Sequence, residues 1–319
     1  MKEKIYSGIL GLCVADALGV PVEFCTRTEL GQNPVTDMRA FGTHNQPAGT
    51  WSDDTSMTLC LLKSLSNRLD YDDIMHNFLA WVDDGKFAAH GVLFDIGIGT
   101  HKAIRQFAGG QLALLCGGQS EYDNGNGSLM RILPLVFYLN TSYGDNFIKH
   151  PDSFIVIHDV SKLTHAHKRS LIGCGIYISV SGQLLINTNL ENAIGTGLQI
   201  ALQHYSQDVE YSGELKHYSR LFDPNFKRLP QDAIKSSGYI VDTLEAAIWC
   251  LLNTNNYKDC VLKAVNLGED TDTVAAVSGG LAGMHYGSTT IPKNWVKQIA
   301  RHDYIKDLCE EFYYSLNHE

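Results

Sequence analysis

Residues 51 to 57 read WSDDTSM and residues 268 to 273 read GEDTDT, and each stretch runs directly into an apolar segment, TLCLLKSL in one case and VAAVSGGLAGM in the other. Ser, Asp and Thr ahead of an apolar run are helix N-caps, and acids in a first turn suit the positive end of the helix dipole. A cap needs only one short polar side chain. Asp270, Asp272 and Thr273, matched by Ser52, Asp53 and Asp54 about two hundred residues upstream, exceed that need. Two oxygen-rich helix starts of this kind imply a fold that brings both to one shared cation site.

The donor types narrow the cation. Carboxylates and hydroxyls without Cys or His select Mg(II), Mn(II) or Ca(II) over zinc. His165 and His167 are two apart and point away from each other on a helix, unlike a ligand pair spaced by four. Aspartates converging without cations raise one another's pKa and repel, a conflict that two divalent ions would remove. Glu23 in DALGVPVEF and Asp95 in LFDIGIGT each read, taken alone, as surface or capping acids. Asn126, Gly127 and Ser128 in NGNGSLMR form a polar loop before an apolar segment. Backbone amides there suit a diphosphate, although an Asn-Gly pair is by itself only a turn. There is no Walker A motif and no full G-x-G-x-x-G, so the ordinary nucleotide folds lack their signature.

Helical periodicity dominates the 319 residues: Ile5, Ile9, Leu12 and Cys13 share a face, as do Met57, Cys60, Leu61 and Leu65, and Leu244, Ala247, Ile248 and Leu251. Residues 42–50, 123–128 and 223–232 read as loops. Phe154–Ile157, FIVI, has β-branched character but is assigned to a helix. Gly8, Gly11, Ala15 and Ala17 in the first helix, and Ala275, Gly279, Gly280 and Gly283 after GEDTDT, predict two helices packed closely at the centre. The length alone permits one large domain or two small ones, and no Pro/Ser-rich linker divides the chain. Acids outnumber Lys and Arg 35 to 25, which disfavours bulk nucleic-acid binding. Eight cysteines without a C-x-x-C spacing read as reduced thiols in a cytoplasmic protein. Asp16 interrupts the apolar N-terminal segment, and no run reaches the roughly 18 uncharged apolar residues that span a bilayer.

In order along the chain, DALGVPVEF, GTWSDDTSM, FDIGIGT, NGNGSLMRILPL, LTHAH, SGYIVDTLEAAIWCL and VNLGEDTDTVAAVSGGLAG closely resemble the ADP-ribosylglycohydrolase family, which includes the dinitrogenase reductase-activating glycohydrolases. The resemblance runs from about residue 5 to about residue 287. It implies one all-α, multi-helix domain over 1–319 with a dinuclear Mg(II) or Mn(II) centre in a cleft, which removes ADP-ribose from a modified acceptor. By position, it implies Ser52, Asp53, Asp54, Asp270, Asp272 and Thr273 as metal ligands, Glu23 beside the metals as ligand or catalytic acid/base, and Asp95 as an acid near the scissile bond. It also implies that Asn126, Gly127 and Ser128 hold ribose and phosphates and that His165 borders the cleft. Arg131 is expected to form a structural ion pair beneath that loop.

Two positions depart from the family pattern: Ser52 stands where Thr is common, and Glu269 where many members carry Gly. The first function implied is hydrolysis of ADP-ribosylarginine on protein. The alternatives are another ADP-ribose conjugate (serine-linked, O-acetyl, on nucleic acid or on a small molecule) or a non-catalytic, crystallin-like relative. Every acidic position matched to the metal site is acidic here, which favours catalysis.

Overall fold

A computed structural model describes residues 1–317. Among the described residues fifteen α-helices follow one another: α1 Lys2–Gly19, α2 Arg27–Gln32, α3 Asp53–Leu65, α4 Tyr71–Asp84, α5 Ile98–Ala108, α6 Pro134–Tyr143, α7 Pro151–Lys162, α8 Lys168–Ile186, α9 Leu190–Gln207, α10 Val209–Leu215, α11 Ile240–Leu252, α12 Tyr257–Val265, α13 Thr271–Tyr286, α14 Lys293–Gln298 and α15 His302–Ser315. Among the described residues β pairing is confined to isolated bridges, so the all-α expectation is met. FIVI lies inside α7, which Pro151 opens; Phe154 and Ile157 are buried while Ile155 is exposed, a helical spacing.

Helices α1 and α13 form the centre, as the glycine pattern predicts. They run antiparallel: a Cβ on Gly283 would fall on the Ser7 carbonyl, one on Gly279 on Ala15 and the Gly11 carbonyl, and one on Gly19 on the backbone of Asp272. Each interior glycine costs a helix about 1 kcal/mol against alanine, and contact between the two backbones offsets this by packing. Both helices are buried along nearly their whole length. By mean hydropathy, which tolerates a few polar and charged residues, Lys2–Val22 and Lys168–Ile186 are long and apolar enough to cross a membrane. Their windows are 94% and 83% buried, which is how core helices pass the same test.

The antiparallel pairing fixes the site. It sets the C-terminal end of α1 beside the N-terminal end of α13, and α3 begins next to both. The chain leaves α1 through a short 3-10 turn, Val20–Val22, that delivers Glu23 to the same place.

Candidate metal centre and active site

Ser52 caps α3, accepting from the Asp54 amide at 3.4 Å, and Asp53 and Asp54 occupy the first turn. Asp270 precedes α13 with Asp272 and Thr273 in its first turn. The acids therefore converge as the two helix starts imply. Asp16, Asp54 and Asp272 each bring a carboxylate oxygen within 4.8 Å of the others, and so do Glu23, Asp270 and Asp272, so Asp272 belongs to both trios. The Thr273 hydroxyl donates to Asp54 Oδ2 at 3.3 Å. Asp53 lies outside both trios; it lines the cleft and accepts from the Gly97 amide at 3.3 Å.

These carboxyls are buried, and burial, joined by repulsion among them, pushes Asp53, Asp54 and Asp272 well above the usual carboxylate range. Burial likewise raises Asp270, partly offset by Asn126, whose amide donates to Asp270 Oδ2 at 2.7 Å. Asp54 Oδ1 is buried with no hydrogen-bond partner among the described residues. An orphaned carboxylate oxygen among mutually repelling acids is costly unless cations sit against it. The oxygen-only donors of the two trios fit hard dications such as Mg(II) or Mn(II).

Asp16 is a site residue that the sequence reading passed over. Its carboxylate accepts from the Ser52 amide at 3.0 Å, the Ser52 hydroxyl at 2.9 Å, the Thr55 amide at 3.0 Å and the Thr55 hydroxyl at 2.6 Å. It ties α1 to the start of α3 and fixes Ser52 relative to Asp54. Burial lifts it to about 6, and those four donors oppose the rise.

His44 was also missed. Its Nε2 meets Glu23 Oε2, and its ring packs between Phe24, at 6.0 Å, and Phe94, at 5.2 Å. Glu23, His44 and Asp95 form a third close trio at the cleft wall. Burial raises Glu23 to about 7 against the contrary pull of His44.

The cleft encloses about 860 Å³, with Glu23, Asp95, Asn126, Gly127 and His165 on its walls. Ser128 departs from its expected place. Its hydroxyl is turned into the core, 2.9 Å from the Ser161 hydroxyl and 3.4 Å from Cys174 Sγ, because α7 and α8 pack behind the loop. Arg131 is structural as expected but, among the described residues, forms no ion pair. It is fully buried, donates to the Gly127 carbonyl, the Val160 carbonyl and the Thr164 hydroxyl, and lies 5.1 Å from the centre of the Phe78 ring. Glu269 has φ +64° and an exposed side chain, so its backbone sits where glycine is favoured.

The ADP-ribosylglycohydrolase profile matches residues 1–318. The chain belongs to the ADP-ribosylglycohydrolase family. It is 31% identical over 316 residues to the ADP-ribosylarginine hydrolase Tri1 of Pseudomonas putida (strain GB-1), an alignment covering 98% of this chain and 78% of that protein. It is 29% identical over 312 residues to the ADP-ribosyl-[dinitrogen reductase] glycohydrolase of Rhodospirillum rubrum, covering 94% and 91%. A solved structure described as an ADP-ribosylglycohydrolase-related protein complex superposes with a TM-score of 0.78 at 28% identity, covering 99% of this chain and 98% of that one.

Proposed function

We propose that this family member hydrolyses the bond between ADP-ribose and arginine on a modified protein, with two dications, Mg(II) or Mn(II), in the acidic cluster. The supporting observation is full-length similarity to an ADP-ribosylarginine hydrolase in a chain whose fold gathers Asp54, Asp270 and Asp272 at one point. Asp54, Asp270 and Asp272 would hold the ions, with Ser52, Asp53 and Thr273 as flanking oxygens. When bound, the ions supply charge stabilisation at the ribose hydroxyls and activate water.

The remaining steps fall to the chain. Asn126 and Gly127 border the space for the sugar and phosphates, and the Asn126 amide is already fixed by Asp270 and, at 2.9 Å, by the Thr243 hydroxyl. Water attacks the anomeric carbon as its bond to the guanidino nitrogen breaks, and oxocarbenium character develops between. Glu23, held through Oε2 by His44, accepts the proton lost by the water. Asp95 stands across the trio, where it stabilises the developing positive charge. The electron pair of the broken bond leaves on nitrogen, and the proton ends on the freed arginine.

Parallel assays of ADP-ribose release from arginine-linked, serine-linked and O-acetyl-linked substrates, with Mn(II) and with EDTA, test this. The expected result is metal-dependent release from the arginine conjugate. Turnover confined to another conjugate would replace arginine as the acceptor, and no turnover on any would favour a crystallin-like role. Cytoplasmic location remains part of the proposal, resting on the unpaired cysteines.

A further inference from the structure

His165 is buried, with only 4% of its surface exposed, at the junction of α7 and α8, yet it lines the cleft. Its Nδ1 lies 2.8 Å from the Thr164 hydroxyl, and Arg131 Nη1 lies 2.8 Å from the same oxygen. A guanidinium has only donors to offer, so the Thr164 oxygen must accept from Arg131. One hydrogen remains on that hydroxyl, and His165 Nδ1 is the acceptor within reach. Nδ1 is thereby committed as an acceptor, which sends the ring proton to Nε2.

Nε2 opens toward three glycines. A Cβ on Gly99 or on Gly125 would lie 3.5 Å from it, and one on Gly127 would press on the neighbouring Cε1 at 2.8 Å. Any side chain at these positions would cover or displace the ring edge. The backbone is locked as well: the His165 amide donates to the Ser161 carbonyl at 2.8 Å, and the Ser161 hydroxyl donates to the His165 carbonyl at 2.9 Å. Burial, with the Arg131 charge nearby, lowers His165 to about 3, so the ring is neutral at working pH. Arg131 is drawn down only to about 10 by burial and stays charged.

We propose that Arg131 and Thr164 are positioning residues that set the tautomer of His165, so that it presents a fixed, uncharged Nε2–H donor to an oxygen of the bound ADP-ribose. The relay accounts for two unusual features: a fully buried arginine without a carboxylate partner among the described residues, and three glycines around one imidazole edge. A neutral donor also suits its place. It adds no positive charge to a cleft whose acids must attract cations, and it binds a phosphate or hydroxyl oxygen by geometry. The contact with ADP-ribose rests on the proposed function; the tautomer does not.

The test is ¹⁵N–¹H correlation spectroscopy of the full chain with labelled histidine, the His165 signals being assigned among the 13 histidines by their loss in His165→Gln. The expected spectrum shows an unprotonated Nδ1 and a protonated Nε2. Thr164→Ser should keep that pattern. Thr164→Val should mix the tautomers, weaken ADP-ribose binding about fivefold to tenfold by calorimetry, and raise KM with kcat within about twofold. A protonated Nδ1 in the wild type overturns the relay, whether or not the valine variant folds. An unchanged tautomer and affinity in folded Thr164→Val overturns it too. If the spectrum is as expected but ADP-ribose does not bind the wild type, the functional reading fails and the relay stands.

Discussion

Helices α1 and α13 touch along one seam, and the middle and one end of that seam are built on opposite principles. In its middle, around Gly11, Gly279 and Gly283, there is no charge and almost no side chain, and the backbones meet directly. At the end, around Asp16, Asp54 and Asp272, carboxyls crowd together, buried and raised out of their normal titration range. The middle contributes stability, and the end draws on it. Repelling acids stay assembled because a rigid seam leaves them nowhere to go, a common arrangement at functional sites.

Asp272→Asn tests this contrast most severely. Losing the member common to both trios should lower turnover about a thousandfold. The chelated protein should nonetheless melt higher than the wild type in EDTA, because one repelling carboxylate has gone. A lower melting point in EDTA would mean that the cluster is not under electrostatic stress. Gly279→Val is the converse: overpacking the seam should cost about 3 kcal/mol in urea unfolding, and activity should fall only as the folded fraction does. Normal stability would show that the helices do not need their close contact.

The pH response of the chelated protein sharpens the comparison. Burial pushes Glu23 up to about 7 and Asp16 up to about 6 in the fold, from ordinary values of 4.5 and 3.8. The native state then binds more protons than the unfolded state between roughly pH 4 and 7, so stability falls as pH rises through that window. Melting in EDTA should show a loss on the order of 5 kcal/mol from pH 4.5 to 7.5. A flat or rising profile would contradict the raised values. The smallest effect belongs to Glu269→Gly, which relieves a left-handed backbone and should add about 1 kcal/mol with kcat unchanged. Altered kcat would give the exposed carboxylate a role in the cleft.

The seam and the two helix starts were legible because each is a local pattern: small residues at helical spacing, and oxygen donors before apolar runs. The fold class and family followed from the ordered motifs. Asp16 was not legible, because a lone acid in an apolar helix resembles an interruption, and its role exists only once α3 crosses α1. His44 sits in a loop whose path no periodicity dictates. Ser128 and Arg131 were placed in the right loop with the wrong surroundings, since the direction of a side chain depends on what packs behind it, here Ser161, Val160 and Thr164.

Mn(II) titration of the metal-free wild type, counting bound ions per chain while following thermal melting, addresses the acidic end directly. Two ions per chain and a higher melting temperature are the result the account predicts, with both effects reduced in Asp272→Asn. Saturation without bound manganese, or binding that leaves the melting temperature unchanged, would contradict it.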